Sequence, residues 1–385
     1  MGDEGTRGPH GRSPHHTSLP LRVALVGCGG IGAVRADAIA RSREVTLAVA
    51  CDIDPGRARA LAARPLSAAK GPAACETDWR AAVAREDVDL VVVSTANDLH
   101  APVAIAAAEA GKHVLCEKPM ARTPDECRAM IAAAERNGVA LKVGFNHRYY
   151  GAVMAIRAAI DAGAIGEVRF VRAAIGHEGG AGFTQSWVTR HAVAGGGTLI
   201  DNGIHILDLA RYLLESQGGR IVEAQGYTIN ARWPVAPCED NAFCLFRTDG
   251  DPARVAQVTS SWTEWKGYRW FVEAYGTRGY VHAAYSPMRA VIGTVGPGTR
   301  AAGGGGRARK RALTFPLFQV RERLRGHAWT TAETFRREFT DLAAAIRDGR
   351  RPFADGYDGL RASEMADAVY RSAREGHAVR VTSDE

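Results

Sequence analysis

No apolar run in this 385-residue chain approaches the roughly 18 residues needed to cross a bilayer, which rules out a helical membrane protein. The first twenty residues are polar, rich in Gly, Pro and His, and lack the apolar centre of a secretory signal, so 1–20 reads as a disordered leader. The seven cysteines (28, 51, 75, 116, 127, 238, 244) are odd in number, scattered, and never arranged as C-x-x-C. That argues against a disulfide framework or a cysteine-built zinc site and fits reduced thiols in a cytoplasmic protein. Aromatics are scarce at 7%, whereas Ala and Gly abound. The expectation is helices packed closely on sheets rather than a β-sandwich.

Charge excludes less. Lys and Arg outnumber Asp and Glu by 49 to 42, a net +7. The only dense basic run is Arg307, Arg309, Lys310 and Arg311, directly after the glycines at 303–306. With no interleaved aromatics it reads as a solvated, mobile loop, and neither nucleic acid nor membrane is expected as a partner. At roughly 150 residues per domain, the length suggests two domains.

The pattern of the chain places them. LRVALV (21–26) is a short apolar run ending in glycines, as in a buried parallel strand. A helix over 31–41, a strand over 45–51, a helix opened by Pro55 and a strand over 89–95 follow. Next come a helix at 101–110, a strand at 113–116, a helix at 124–137 capped by Thr123, and a strand at 141–145. This alternation specifies a doubly wound parallel sheet, an α/β nucleotide-binding domain over 21–145. Beyond it, helix 151–161 leads into strand-like runs at 168–176, 221–230, 242–247, 254–263 and 269–275, with helices at 331–348 and 357–374. The second domain, 146–385, is therefore expected to be α+β with a large, mostly antiparallel sheet.

Gly27-Cys28-Gly29-Gly30-Ile31-Gly32 is G-x-G-x-x-G between a strand and a helix. The first glycine permits the tight turn, the second lets backbone approach a pyrophosphate, and the third allows close helix–strand packing. The helix N-terminus then offers free amides to the anion. Asp52 ends the second strand twenty residues after Gly32, placed to accept from an adenosine ribose and to repel a 2′-phosphate. NAD is expected as cofactor in preference to NADP. Ile53 and Arg57 follow Asp52, with Arg57 also readable as a helix-surface residue.

Three further strings carry chemistry: STANDLH (94–100), GKHVLCEKP (111–119) and GGGTLIDNGIHILD (195–208). With the glycine turn, they closely resemble the glucose–fructose oxidoreductase / inositol dehydrogenase / MocA family over about residues 21 to 380. The resemblance implies an NAD-dependent oxidoreductase with Lys118, Asp201 and His205 catalytic, and a cis peptide before Pro119. It also implies cofactor contacts at Thr95, Asn97 and His100, with Glu117, Lys118 and Asn146 completing that set. Many relatives read Thr-Pro-Asn where this chain has Thr95-Ala96-Asn97, so the loop loses a rigid proline. The resemblance further implies oligomers formed through the second sheet, hence a homodimer or homotetramer.

Residue chemistry agrees with this resemblance. Ligands of open α/β sheets bind beyond the strand carboxyl ends, where Asn97 and Lys118 would sit. Asp201 and His205, four apart, would share one helix face, with Asp208 continuing it. A neutral His suits abstraction of a hydroxyl proton, its tautomer held by a carboxylate, while Lys118 favours the developing alkoxide; no metal is needed. For a hydroxyl-rich substrate the candidates are Lys118, His147, Arg148, His177, Trp187, Asn202, His205 and Asp208, with Asp208 also readable as a partner of Arg211. Trp262 reads as core packing. The expected reaction is oxidation of one secondary hydroxyl of a sugar, sugar derivative or cyclitol to a ketone. By association alone, the Ala/Arg/Gly-rich, high-GC composition extends the substrates to antibiotic sugars such as aminoglycosides. The alternative is an NAD-dependent glycoside hydrolase working by transient oxidation.

Overall fold

A computed structural model describes residues 19–64, 73–295 and 309–381. The apolar segments ending in glycine or a carboxylate form a six-stranded parallel sheet: β1 (Leu21–Val26), β2 (Val45–Cys51), β3 (Ala74–Glu76), β4 (Leu90–Val93), β5 (His113–Cys116) and β6 (Leu141–Val143). Their order is β3-β2-β1-β4-β5-β6, so the chain reverses direction across the sheet between β1 and β4. Crossover helices are α1 (Gly30–Ala40), α2 (Pro55–Ala62), α3 (Trp79–Ala84), α4 (His100–Glu109) and α5 (Pro124–Arg136). Thr123 caps α5 from its side chain and Asp54 caps α2, each ahead of a proline in the first turn.

The second sheet has nine strands: β7 (Val168–Gly176), β8 (Ile221–Ile229), β9 (Asn241–Thr248), β10 (Val255–Ser261), β11 (Arg269–Gly276), β12 (Gly279–Tyr285), β13 (Arg289–Thr294), β14 (Arg309–Thr314) and β15 (Val379–Arg380). Among the described residues of this sheet, only β7 and β10 pair in parallel. Helices α6 (Gly151–Asp161), the short α7 (His191–Ala194), α8 (Ile204–Leu214), α9 (Pro316–Arg325), α10 (His327–Asp348) and α11 (Gly356–Glu375) complete it. Packing of α6, α8 and α11 buries one face of this sheet, whereas Phe170, Tyr227, Phe243, Leu245 and Val255 of the other face remain exposed.

The structure departs from the sequence reading in two places. Arg309, Lys310 and Arg311 are solvated as expected but belong to edge strand β14, hydrogen-bonded to β13, not to a loop. Charged side chains on an edge strand also discourage pairing with another chain. Arg307, the glycines at 303–306 and the leader up to residue 18 lie outside the described residues. The second concerns α10, which returns to the first domain. Its Phe335, Phe339 and Leu342 join Leu21, Val23 and Leu25 in one core cluster, each side chain worth about 1.5–3 kcal/mol on burial. Arg35 of α1, fully buried, bridges Glu117 and Glu338 at 2.6 Å each.

Candidate active site

The glycine turn between β1 and α1 is built by close approach. Gly27 has φ +95°, and a Cβ on it or on Gly32 would fall on backbone of Ser94 or of Gly27 itself. By contrast, a Cβ on Gly29 or Gly30 would meet nothing within 4 Å. Helix α1 starts with no side chain capping its amides and no acid in its first turn. Asp52 closes the turn, Oδ2 accepting from the Cys28 amide at 2.7 Å and Oδ1 from the Asp54 amide at 2.9 Å. Each oxygen keeps a further lone pair. An open cradle of amides with a carboxylate at the end of β2 fits a dinucleotide. Ile53 beside it is 91% exposed, and Arg57 lies on the surface of α2, 3.5 Å from Asp54.

At the end of β5 the chain turns through a cis Lys118–Pro119 peptide. Lys118 Nζ crosses to the second domain, donating to the Asp201 carbonyl oxygen at 2.7 Å and lying 3.3 Å from Asp201 Oδ1. Trp262 donates its indole N–H to Asp201 Oδ2 at 3.2 Å, and His177 Nε2 stands 3.9 Å from the same atom. His177 Nδ1 accepts from the Gly179 amide at 2.9 Å, which puts its proton on Nε2, facing Asp201. Burial alone would raise Asp201, but the Lys118 ammonium and the His177 ring outweigh it and hold the carboxyl well below the usual range.

His205 opens α8, its ring centroid 3.9 Å from that of His147 at 34°. Asn146 Oδ1, 3.2 Å from His147 Nδ1, can only accept, so Nδ1 carries the proton and Nε2, 3.1 Å away, accepts from Tyr268. Burial, helped by Lys118 and His327, pushes His147 down to about 3. Burial, with His147 and Lys118, likewise pushes His205 well below the ordinary range. His205 Nδ1 and Asn202 Nδ2 are buried without a hydrogen-bond partner.

Several expected site residues have other partners. Asp201 does not orient His205: residues 199–203 form a single π-type turn, which breaks the four-residue register, and Asp201 engages Lys118, Trp262 and His177 instead. Arg148 and Asp208 engage each other, at 2.5 Å and 2.7 Å, and Arg148 and Arg211 both reach Asp358. All that remains of the Asp208 alternative is a looser contact to Arg211 at 3.6 Å. His100 is buried with Nδ1 on the Pro119 carbonyl at 2.8 Å and Nε2 on that of Thr95 at 3.2 Å. It therefore ties two loops together. Glu117 is taken up by Arg35 and the Lys118 amide, Asn97 by the Ala194 carbonyl and Asn146 by Thr334. These contacts hold the 95–97 loop without the proline. Thr95 and Trp187 are half-buried. Trp262 is core, as its sequence suggests, yet also a partner of Asp201; only its place between Ser261 and Thr263 in a polar strand end hinted at that.

Comparison with known proteins agrees with this geometry. Residues 21–145 match the family described as "Oxidoreductase family, NAD-binding Rossmann fold", and residues 153–282 match the "GFO/IDH/MocA C-terminal domain". The chain is 29% identical over 359 residues to an inositol 2-dehydrogenase of Rhizobium meliloti, covering 93% of this chain and 98% of that protein. It is 34% identical over 214 residues to a D-glucoside 3-dehydrogenase of Escherichia coli, covering 55% of this chain and 59% of the relative. A levoglucosan dehydrogenase solved with NADH and levoglucosan superposes with a TM-score of 0.78 at 26% identity, over 94% of this chain and 100% of that one. A cofactor cradle, a lysine–aspartate contact between domains and matches along the chain lead to one conclusion: the chain belongs to the GFO/IDH/MocA family of NAD-binding oxidoreductases that act on CH–OH groups.

Proposed function

We propose that this protein is an NAD-dependent dehydrogenase that oxidises one secondary hydroxyl of a sugar, sugar derivative or cyclitol to the ketone, with Lys118, Asp201 and His205 at the reacting carbon. The observation that carries the reading is the Lys118–Asp201 contact beside a neutral, buried His205. Gly27, Gly29, Gly30, Ile31, Gly32 and Asp52 would hold NAD, which supplies a hydride acceptor when bound.

Oxidation removes a hydride from carbon and a proton from oxygen, and the residues of this chain handle the proton. Lys118, oriented by Asp201, donates a hydrogen bond to the substrate oxygen and stabilises the negative charge that develops there. His205 stays unprotonated across the neutral range and so accepts the hydroxyl proton. Protonated His205 is disfavoured by its burial and by Lys118, so the proton passes on to solvent rather than resting on the ring. Asn202, with a buried unpartnered N–H, and His177, beside Asp201, suit the remaining hydroxyls of a polyol. Trp187 is the candidate for stacking on a ring face. Relatives named as dehydrogenases weigh against the hydrolase alternative.

The exposed apolar face of the second sheet supports assembly as a homodimer or homotetramer through Phe170, Tyr227, Phe243 and Leu245. The test of the function is a panel of cyclitols, free and anhydro sugars, glycosides, sugar nucleotides and aminoglycosides with NAD, followed at 340 nm. NADH formation with a member of the panel is expected. Product release without net NADH would return the hydrolase reading.

A further inference from the structure

Glu239 and Asp240, consecutive residues entering β9, take no part in the chemistry above, yet both are buried. Glu239 lies directly behind the π-type turn that carries Asp201. Its Oε2 accepts from the Gly197 amide at 3.0 Å; its Oε1 accepts from the Leu199 amide at 2.8 Å and the Tyr370 hydroxyl at 3.0 Å. The Glu239 carbonyl also accepts from the Thr198 amide at 3.0 Å. A Cβ on Gly197 would collide with the Glu239 backbone, so the two segments are as close as glycine permits. Asp240 accepts from the amides of Ala231, Arg232 and Trp233, and its carbonyl accepts from the Trp262 amide at 2.7 Å. Trp262 in turn donates to Asp201. Asp201 is thus held from behind by Glu239 and from the side, through Trp262, by Asp240.

We propose that Glu239 is a positioning residue for the oxidation: its ionised carboxylate fixes the amides of Gly197 and Leu199, and thereby sets where the turn presents Asp201 and the Lys118 amine. This rests on the roles proposed for Lys118 and Asp201. An ionised carboxylate only accepts, whereas a protonated one carries an O–H that cannot face an amide. Protonation of Glu239 therefore loosens the turn.

Burial pushes Glu239 up to about 7, against the hydrogen bonds from Leu199, Tyr370 and Gly197. Of the groups facing it, Cys238 and Cys244 are raised by burial and by Glu239 itself, as is Tyr370 of α11. Arg122, His191, Asp367 and Arg374 line a cavity of about 420 Å³ that reaches the same carboxylate, with Asp367 paired to Arg371 at 2.9 Å. His147 and His205 are both pushed down. On this proposal an acid limb of the rate near neutrality comes from Glu239, since the imidazole that takes the proton is pushed down.

The test compares wild type, Glu239→Gln and Tyr370→Phe by kcat and KM from pH 5.5 to 9 with an accepted polyol. In parallel, acetic anhydride labelling of Lys118 is quantified by mass spectrometry without cofactor or substrate. Wild-type kcat should rise through a limb near pH 7. Glu239→Gln should abolish that limb, lower kcat at pH 8 at least about tenfold (the equivalent of one lost buried hydrogen bond) and leave the KM for NAD within about twofold. It should also change Lys118 labelling several-fold. Tyr370→Phe keeps the contacts of the Glu239 carboxylate to the Gly197 and Leu199 amides, removes one donor to that carboxylate together with a longer, 3.3 Å acceptor of the Gly197 amide, and should move the limb up by about 0.5–1 pH unit. A Glu239→Gln enzyme with the limb, the rate and the labelling all unchanged would overturn the proposal. Should that variant fail to fold, an unshifted limb in Tyr370→Phe overturns it and a shifted one supports it. If no polyol is oxidised, altered labelling upholds the placement of Lys118 by Glu239 and sinks only the dehydrogenase reading, while unaltered labelling sinks the placement.

Discussion

The rings of His147 and His205 lie tilted against each other with centroids 3.9 Å apart, the first in the turn after β6 and the second at the start of α8. Each is buried and neutral, so a base is kept ready without the carboxylate partner that its sequence neighbourhood suggested. His205→Ala should lower kcat by about 10²–10⁴ while NAD binding, read by tryptophan fluorescence, stays within a few-fold. Near-normal turnover would reject the role of His205 as base.

Lys118→Met should cost turnover on a similar scale and also change the response to acid. In the wild type Asp201 is depressed, so its ionised form contributes stability at pH values above the unfolded carboxyl range, and this is lost only as pH falls through the folded value. Without the ammonium, His177 alone of the two groups that hold Asp201 down opposes burial, and that contribution shrinks. The variant should be less stable than wild type at pH 7, the gap in denaturant midpoint closing toward pH 3. A gap independent of pH would show that Asp201 is held by other means.

Gly29→Ala and Gly32→Ala should behave differently. A methyl at Gly29 meets open space, so thermal stability should hold while NAD binding weakens. At Gly32 the methyl strikes the Gly27 carbonyl, so stability itself should fall, by about 1–3 kcal/mol. Equal Tm losses in the two would mean the cradle is not open.

Asp52→Ala should shift cofactor preference toward NADP by at least about tenfold in kcat/KM, through loss of like-charge repulsion and of the ribose acceptor. Unchanged selectivity would move ribose recognition to another residue.

Arg148→Met or Asp208→Asn breaks a buried ion pair and should cost about 3–5 kcal/mol of stability without a selective rise in substrate KM. A rise in KM at unchanged Tm would restore these residues to the substrate pocket.

Local pattern in the chain was enough for five of the six strands of the first sheet, because buried parallel strands are short apolar runs bounded by turn residues. The glycine turn, Asp52 and Lys118 were legible for the same reason: they stand next to the strand ends, whereas His205, at the start of α8, was singled out by the 195–208 string. Short β3 and α3 were missed because three or six residues carry too little periodicity. The edge strand at Arg309–Thr314 was hidden because its polar side chains face solvent on a sheet margin. Trp262 and Glu239 escaped because a buried aromatic or carboxylate looks alike in sequence whether it packs, pairs or positions.

By itself the sequence determined most of the strands and helices of the first domain, the glycine turn suited to a dinucleotide, and which side chains are candidates for hydride and proton removal. Only the tertiary structure decided their partners: that Asp201 meets Lys118 across 83 residues and not His205 across four, that Arg148 and Asp208 neutralise each other, and that α10 completes the first domain. Spacing along a chain sets which face a residue occupies, whereas pairing of buried charges depends on which elements pack together.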